Sequence, residues 1–206
     1  MMALAPVGNV VLVVVDIQGG GDPDTHSVGL GYMAGRPERN ARAVDLVAAF
    51  RDKGVPVVFI QEVHKPSLVD IGRELDGAEG PHCLEGARGT ELHPGLDPRP
   101  EEYLIRKRRY SAFFGTELDL VLRGYRAETV VLVGGMTDVC IHYTAVDAHQ
   151  LGYRVRVVTD VVLGSGEELH RAALRAMSRL QDGVLVSRSE VADWLAGVPA
   201  GAETGR

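Results

Sequence analysis

Three residues of this chain, Asp16, Lys107 and Cys140, are of types that together can do covalent chemistry. Cys140 stands in VGGMTDVCIHYTAVDAHQ, residues 133–150, which passes from an apolar strand pattern through two glycines into an amphipathic helix pattern. A cysteine attacks as its thiolate, and an ordinary pKa of about 8.5 leaves only a few per cent ionised at neutral pH. A helix start offers unpaired N–H groups and a partial positive charge, both of which favour the anion. On that pattern Asp138 is the N-cap, Cys140 is the second helical residue, and its thiol pKa is expected to be depressed. Gly134 and Gly135 let backbone approach a ligand closely. The backbone N–H groups of Met136 and Cys140 are then candidates for an oxyanion hole. The alternative is simple burial, since free cysteine is among the most buried residue types.

Asp16 closes the apolar run VVLVVVD, where a carboxylate is costly unless paired, so it is either functional or the cap of the next turn. Lys107 belongs to RKRRY, which taken alone reads as a solvated basic cluster. Taken together the three make a coherent set. A carboxylate accepts the thiol proton, an ammonium holds the charges, and backbone donors receive a tetrahedral intermediate.

Such a set needs elements that end at one place. Residues 10–16, 55–61, 103–107, 129–135, 154–160 and 182–187 read as strands, several of them apolar at nearly every position, which suits parallel strands covered on both faces. Residues 37–54, 115–125, 137–153 and 166–183 carry apolar residues three or four apart and read as helices, and a terminal helix is expected around SEVADWLAG with Trp194 packing on the sheet or on a partner. The alternation predicts a three-layer α/β/α sandwich on a mainly parallel six-stranded sheet in a Rossmann-like order. Ligands in such folds bind beyond the carboxyl ends of the strands, where strand order switches, and Asp16, Lys107 and the turn carrying Cys140 all follow strand ends. Residues 62–102, rich in Gly, Pro and charge, form a long loop of the kind that is usually functional or oligomeric.

The chain of 206 residues reads as one domain spanning 1–206, with its core in 8–187 and a flexible tail in 200–206. A net charge of -6 argues against a nucleic-acid partner. No apolar run approaches about 18 residues, so no membrane partner is expected. Without a basic start before the first strand, or a framework of cysteines beyond Cys83 and Cys140, a cytoplasmic location is the expectation.

VVVDIQ, IRKRRYSAFFGTELDLVLR and VVLVGGMTDVCIHYTAVDAHQLGYRVRVVTD, in that order, resemble the isochorismatase-like cysteine hydrolases over roughly residues 8–185. The resemblance implies a catalytic triad of Asp16, Lys107 and Cys140, a cis peptide at Gly135–Met136, and substrate contacts from Gln18, His64, Tyr110, Phe113 and Thr137. It also implies a homo-oligomer, a dimer or tetramer. Members that cleave a vinyl ether lack the cysteine, so its presence favours C–N hydrolysis of a small ureido, carbamoyl or carboxamide compound. The nicotinamidases of this group hold a metal on Asp-x-His and two further histidines. By motif Glu62 stands for that aspartate, His64 and His82 for two histidines, and Leu68 for the third. At most three ligands remain, so no cofactor is required and a divalent metal on Glu62, His64 and His82 is not favoured. The aromatic positions that stack on a pyridine ring fall at Gly21 and Gly80, which turns the expectation away from nicotinamide. Arg106, Arg108 and Arg109 read as a solvated face, with a substrate carboxylate as the alternative. The alternatives are a nicotinamidase-type metal-assisted amidase, a catalytically silent small-molecule-binding or scaffold member of the fold, and a peroxide-sensing thiol.

Overall fold

The computed structural model describes residues 6–19, 30–77 and 79–199; the expected tail at 200–206 and the position Gly21 lie outside them. Six strands, β1 (Asn9–Val15), β2 (Val57–Glu62), β3 (Tyr103–Lys107), β4 (Ala127–Gly135), β5 (Arg154–Leu163) and β6 (Leu185–Val186), form one sheet. Its order is β3-β2-β1-β4-β5-β6 and every pairing is parallel. Five α-helices lie among the described residues: α1 (Arg36–Asp52), α2 (Leu118–Gly124), α3 (His142–Gln150), α4 (Glu167–Met177) and α5 (Arg188–Ala196).

The continuous apolar runs follow from the layering. Val11, Val13 and Val15 of β1 pack with residues of α2, α3 and α4, including Leu122, Ala145 and Met177. Val10, Leu12 and Val14 pack on the other face with α1 and α5, including Phe50 and Leu195. Successive side chains on a strand point to opposite faces, so a strand covered twice has to be apolar throughout. Each fully buried Val, Leu or Phe contributes about 1.5–3 kcal/mol. Trp194 lies against Phe50 of α1, with ring centroids 5.9 Å apart, so α5 is packed within this chain.

The helices expected over 137–153 and 166–183 are much shorter than their patterns, and the one over 115–125 is trimmed to Leu118–Gly124. The segment after β4 opens as a π-type turn over Thr137–Ile141, and α3 starts only at His142. Asp138 is not a cap: its carboxylate accepts bonds from the Ser165 amide at 2.9 Å and hydroxyl at 2.5 Å. The Ile141 amide reaches back to Met136 O at 3.0 Å, which widens the turn that carries Cys140. α4 stops at Met177, where the Ser178 hydroxyl bonds back to Arg175 O at 2.8 Å and competes with the helix.

The long segment after β2 is tied down across the strand ends. The Gln18 amide donates to Glu62 O at 3.0 Å and Thr90 O at 2.7 Å, and accepts from the Glu62 amide at 3.0 Å. His93 N donates to Ile17 O at 2.9 Å. β1 and β4 are neighbours whose following helices, α1 and α3, cover opposite faces, which is the switch in strand order where a crevice opens.

Gly134 fixes how closely β4 approaches β1 at that crevice. Its φ is +122°, and an added Cβ would lie 1.9 Å from Val15 O. Gly152 also has a positive φ, +91°, but has open space around it. Gly134→Ala is therefore expected to lose at least about 3 kcal/mol in urea denaturation, and Gly152→Ala only about 1 kcal/mol. Equal losses would show that the close approach imposes no constraint.

Candidate active site

Three neighbouring strands deliver charge to one point. Asp16 follows β1 with a φ of 51°, Glu62 ends β2, and Lys107 ends β3 directly opposite Glu62 in register. Lys107 is wholly buried. Its Nζ lies 3.0 Å from Asp16 Oδ2, donates to Glu62 Oε2, and sits 3.3 Å from Cys140 Sγ. The Cys140 thiol is 3.6 Å from Glu62 Oε2. Asp16, Lys107 and Cys140 are thus brought together as expected, with Glu62 as a fourth member. Asp16 is within ion-pair distance of Lys107, yet neither of its oxygens has a hydrogen-bond partner. The ammonium directs its hydrogen bonds at Glu62 and sulfur, and Asp16 is held by charge with both oxygens open.

Burial raises the Asp16 carboxyl to about 6, with Lys107 opposing and Glu62 adding to the rise. Glu62 resists the same burial, because the Lys107 charge and bonds from His64, His82 and Lys107 hold it well below the usual carboxylate range. Lys107 also stays charged despite burial, held by Asp16, the sulfur and Glu62. Burial pushes the Cys140 thiol well above its ordinary value; Lys107 opposes this and the two carboxylates reinforce it. The expected depression of that pKa is therefore overturned. The helix-start argument treats the thiol as solvated, whereas Cys140 is only 5% exposed and flanked by two anions. Cys140 thus carries a neutral thiol at rest, and of the two carboxylates beside it Asp16 holds a proton more readily than Glu62.

Asp16, Gln18, Glu62, Tyr110, Met136 and Cys140 line one cavity. The Gln18 amide is spent on the backbone bonds described above. Tyr110 donates to Glu79 at 3.3 Å and stacks on Tyr143 with centroids 5.8 Å apart. His64, Phe113 and Thr137 are placed away from this lining. His64 is fully buried with Nε2 3.1 Å from Glu62 Oε1, Phe113 stacks on Tyr153 at 6.2 Å, and Thr137 Oγ1 bonds His170 Nδ1 at 3.0 Å. Arg106 pairs with Glu85 at 3.8 Å, Arg108 bonds Asp70 at 2.8 Å, and Arg109 bonds Asp70 O at 2.6 Å, so none of the three serves the cavity. Tyr32, Arg36 and Glu79 line it without having been singled out by any motif; the one signal is that Arg36-Pro37 opens the helix after the crevice. Cys83 lines it as well, its thiol pushed up by burial.

The metal question changes with Glu74. Donor atoms of Glu62, His64, Glu74 and His82, all four buried, lie within 4.8 Å of one another. Both Nε2 atoms approach Glu62 Oε1, at 3.1 Å from His64 and 2.9 Å from His82. Glu74 Oε2 is 3.4 Å from His82 Nε2 and 3.7 Å from His64 Nε2, and neither Glu74 oxygen has a hydrogen-bond partner. The limit of three ligands is therefore corrected: Leu68 contributes nothing, but a short 3-10 turn at Glu74–Asp76 brings a fourth. Two carboxylates and two imidazoles with an orphaned buried carboxylate fit a divalent cation. Burial opposes protonation of His82, yet Glu62 and Glu74 raise it to about 10, so its own proton offsets the carboxylates.

A model of the isochorismatase domain matches residues 10–190. The chain belongs to the isochorismatase family. Within that family it is 32% identical over 165 residues, 80% of this chain and 82% of the other, to the uncharacterised YwoC of Bacillus subtilis. It is 31% identical over 182 residues, 79% of this chain and 70% of the other, to the ureidoacrylate amidohydrolase RutB of Methylobacterium radiotolerans. Among solved structures, the pyrazinamidase of Pyrococcus horikoshii in complex with zinc superposes with a TM-score of 0.72 at 27% identity, covering 87% of this chain and 99% of the other. The isochorismatase-family fold expected from the motifs is thereby established, and no helix among the described residues is long and apolar enough to cross a membrane.

A raised thiol pKa has a measurable sign. The thiolate fraction of Cys140 is small below its folded pKa and grows only as pH rises above the ordinary thiol range. Alkylation of Cys140 by iodoacetamide, followed by peptide mapping from pH 6 to 10, should keep accelerating up to the top of the range. A plateau already reached at pH 7 would contradict a neutral resting thiol.

Proposed function

We propose that this isochorismatase-family protein is a cysteine amidohydrolase that cleaves a C–N bond of a small ureido, carbamoyl or carboxamide compound through a thioester. The observation that carries this reading is the single ammonium of Lys107 lying between an open carboxylate at 3.0 Å and a thiol at 3.3 Å. In this scheme the Cys140 proton passes to Asp16 as sulfur bonds to the substrate carbonyl carbon, and the carbonyl oxygen takes the negative charge. Backbone N–H groups of Met136 and Cys140 stabilise that oxygen. The C–N bond then breaks, the leaving nitrogen takes the proton from Asp16, and the acyl group remains on sulfur. Water attacks the thioester with Asp16 accepting its proton, the acid departs, and the thiol is restored. Lys107 stays protonated throughout and offsets the charge on Asp16 whenever that carboxylate is ionised. Of the expected substrate contacts, Tyr110 and Gln18 line the cavity, and Tyr110 is the one whose ring is free to meet substrate there.

Glu62, His64, Glu74 and His82 would hold a divalent cation, and when bound it supplies a Lewis-acidic charge at the cavity wall, which Glu62 and His82 help to line. A second reading, an aromatic carboxamide substrate, is favoured by this fourth ligand and by Tyr32 and Tyr110 on the wall, which supply rings from other positions than Gly21 and Gly80. Ammonia release across ureides, carbamoyl amino acids and aromatic carboxamides separates the two. A homo-oligomer belongs to the same proposal, and light scattering tests it.

Cys140→Ala and Asp16→Asn are each expected to lower kcat at least about 1,000-fold, and the double variant little further, because the groups act as a unit. Additive losses would leave one of them merely structural. Asp16 must be ionised to act, and its folded value is raised, so kcat/KM should fall about tenfold per pH unit below about 6. A profile flat down to pH 4.5 would remove Asp16 as the base. Calorimetric titration of metal-stripped protein with zinc should find one ion per chain, bound at least about tenfold more weakly by Glu74→Gln. Unchanged affinity in that variant would exclude Glu74 as a ligand.

A further inference from the structure

The cavity wall carries a phenol that the hydrolytic steps do not use. Tyr32 lines the cavity together with Asp16, Met136 and Cys140. Its position is set from two sides. The next residue, Met33, donates its amide to Gly164 O at 3.1 Å, directly after Leu163, which pairs in register with Gly135. Over the ring lies the Arg36 guanidinium, 4.3 Å from the centroid, at the start of α1. A ring held between a strand end and a helix start has little freedom left to lose when a ligand arrives, which is the preorganisation that a catalytic donor requires.

The hydroxyl-bearing half of that ring lies toward the turn that carries the nucleophile. A Cβ built on Gly135 would lie 3.7 Å from Cε1 of Tyr32, the carbon next to the one that bears the oxygen. Gly135 directly precedes Met136, whose N–H is one of the two backbone donors in the proposed scheme. Three other polar side chains of the wall are already spent. Gln18 serves backbone groups, Tyr110 donates to Glu79 at 3.3 Å, and His82 is held between Gly80 O at 2.7 Å and Glu62 at 2.9 Å. No hydrogen bond within the described residues takes up the Tyr32 hydroxyl. Burial pushes this phenol well above its usual value, with Cys83, Cys140 and Asp16 adding to the rise and Arg39 opposing it. Tyr32 therefore keeps its proton at any working pH and acts as an uncharged donor.

Where that O–H acts follows from the charges around it. Asp16 and Glu62 are already matched by Lys107, and in the proposed scheme Asp16 itself returns the proton to the leaving nitrogen. The one charge without a side-chain donor is that which forms on the substrate carbonyl oxygen, beside Met136 and Cys140. Arg39 stands on the same side, since its Nη1 would lie 3.2 Å from the same Cβ at Gly135, and a nearby cation makes an O–H a stronger donor. We propose that Tyr32 is a further catalytic residue, whose hydroxyl donates a hydrogen bond to the substrate carbonyl oxygen alongside the backbone N–H groups of Met136 and Cys140. As sulfur bonds to the carbonyl carbon, an electron pair of the C=O bond moves onto oxygen. Tyr32 keeps its proton, and its bond to that oxygen strengthens. This rests on the amidohydrolase reading above and adds a side-chain donor to it.

Two reactions of the same thiol separate this role from a structural one. Acylation of Cys140 by p-nitrophenyl acetate passes through a tetrahedral oxyanion, whereas alkylation by iodoacetamide does not. Tyr32→Phe is expected to slow acylation about 100-fold and to leave alkylation within about twofold, since one oxyanion donor is worth about 10²–10³ in rate. Stopped-flow release of nitrophenolate reads the first reaction, and peptide mapping by mass reads the second and places the acetyl group on Cys140. Incorporation of 3-fluorotyrosine at position 32, a stronger donor of nearly the same shape, should give acylation at least as fast as in the wild type. Unchanged acylation in Tyr32→Phe, or equal slowing of both reactions, would overturn the proposal and leave the hydrolase reading standing. Slower acylation in the fluorotyrosine protein would do the same, and decides the matter should Tyr32→Phe not fold. Wild-type protein acylated no faster than Cys140→Ala would overturn the hydrolase reading, and this proposal with it.

Discussion

A lysine ammonium buried without solvent contact is the constraint on which the rest of this site depends. Lys107 survives there only because Asp16 and Glu62 stand on either side of it. Two carboxylates to one ammonium leave an excess negative charge, which His82 meets on the far side of Glu62 and shares with Glu74. Each member of this row sets the protonation of the next. Glu62, with cations on both sides, is held ionised; Asp16, with the ammonium alone, rises to about 6. The two carboxylates beside the thiol are therefore pushed apart in pKa, and on the proposed route one is an anchor and the other the proton acceptor.

The sheet order is what makes such a row possible. β3, β2 and β1 are adjacent and parallel, so their carboxyl ends place Lys107, Glu62 and Asp16 side by side. An antiparallel neighbour would have sent one of those groups to the opposite edge. β4 then brings Cys140 across the switch point, and Gly134 permits the approach, since any side chain there would meet Val15 O. The position of Cys140 is thus tied to the packing of two central strands.

The strands, their parallel arrangement and the trio of Asp16, Lys107 and Cys140 were legible because apolar runs and residues just past them are local signals. The pairing of Glu62 with Lys107 was not, because it depends on strand register between residues 45 positions apart. Glu74 was hidden for a related reason: nothing in DIGRELDGAEG marks a short turn that tucks one carboxylate beneath two histidines. Asp138 looked like a cap in sequence, but a turn 27 residues away supplies better donors in Ser165. The thiol pKa failed in sign because local helix electrostatics were weighed without the desolvation that tertiary packing imposes.

That failure bears on how the proposed chemistry works. A thiolate formed in advance would be a buried charge beside two carboxylates, with one ammonium to stabilise it. The neutral thiol avoids that cost at rest, and it is also the form less prone to oxidation. On the proposed route the proton leaves for Asp16 only as sulfur bonds to carbon, so negative charge never accumulates on sulfur. It moves to the carbonyl oxygen instead, where backbone donors can meet it. Lys107 holds Asp16 ready as an anion in the ground state, and the oxyanion donors make their bonds only once charge has reached the carbonyl oxygen. Stabilisation confined to the passage between states is what accelerates a reaction. Burial that raises the thiol pKa is thus compatible with nucleophilic catalysis, provided that base, ammonium and oxyanion donors are fixed before the substrate arrives.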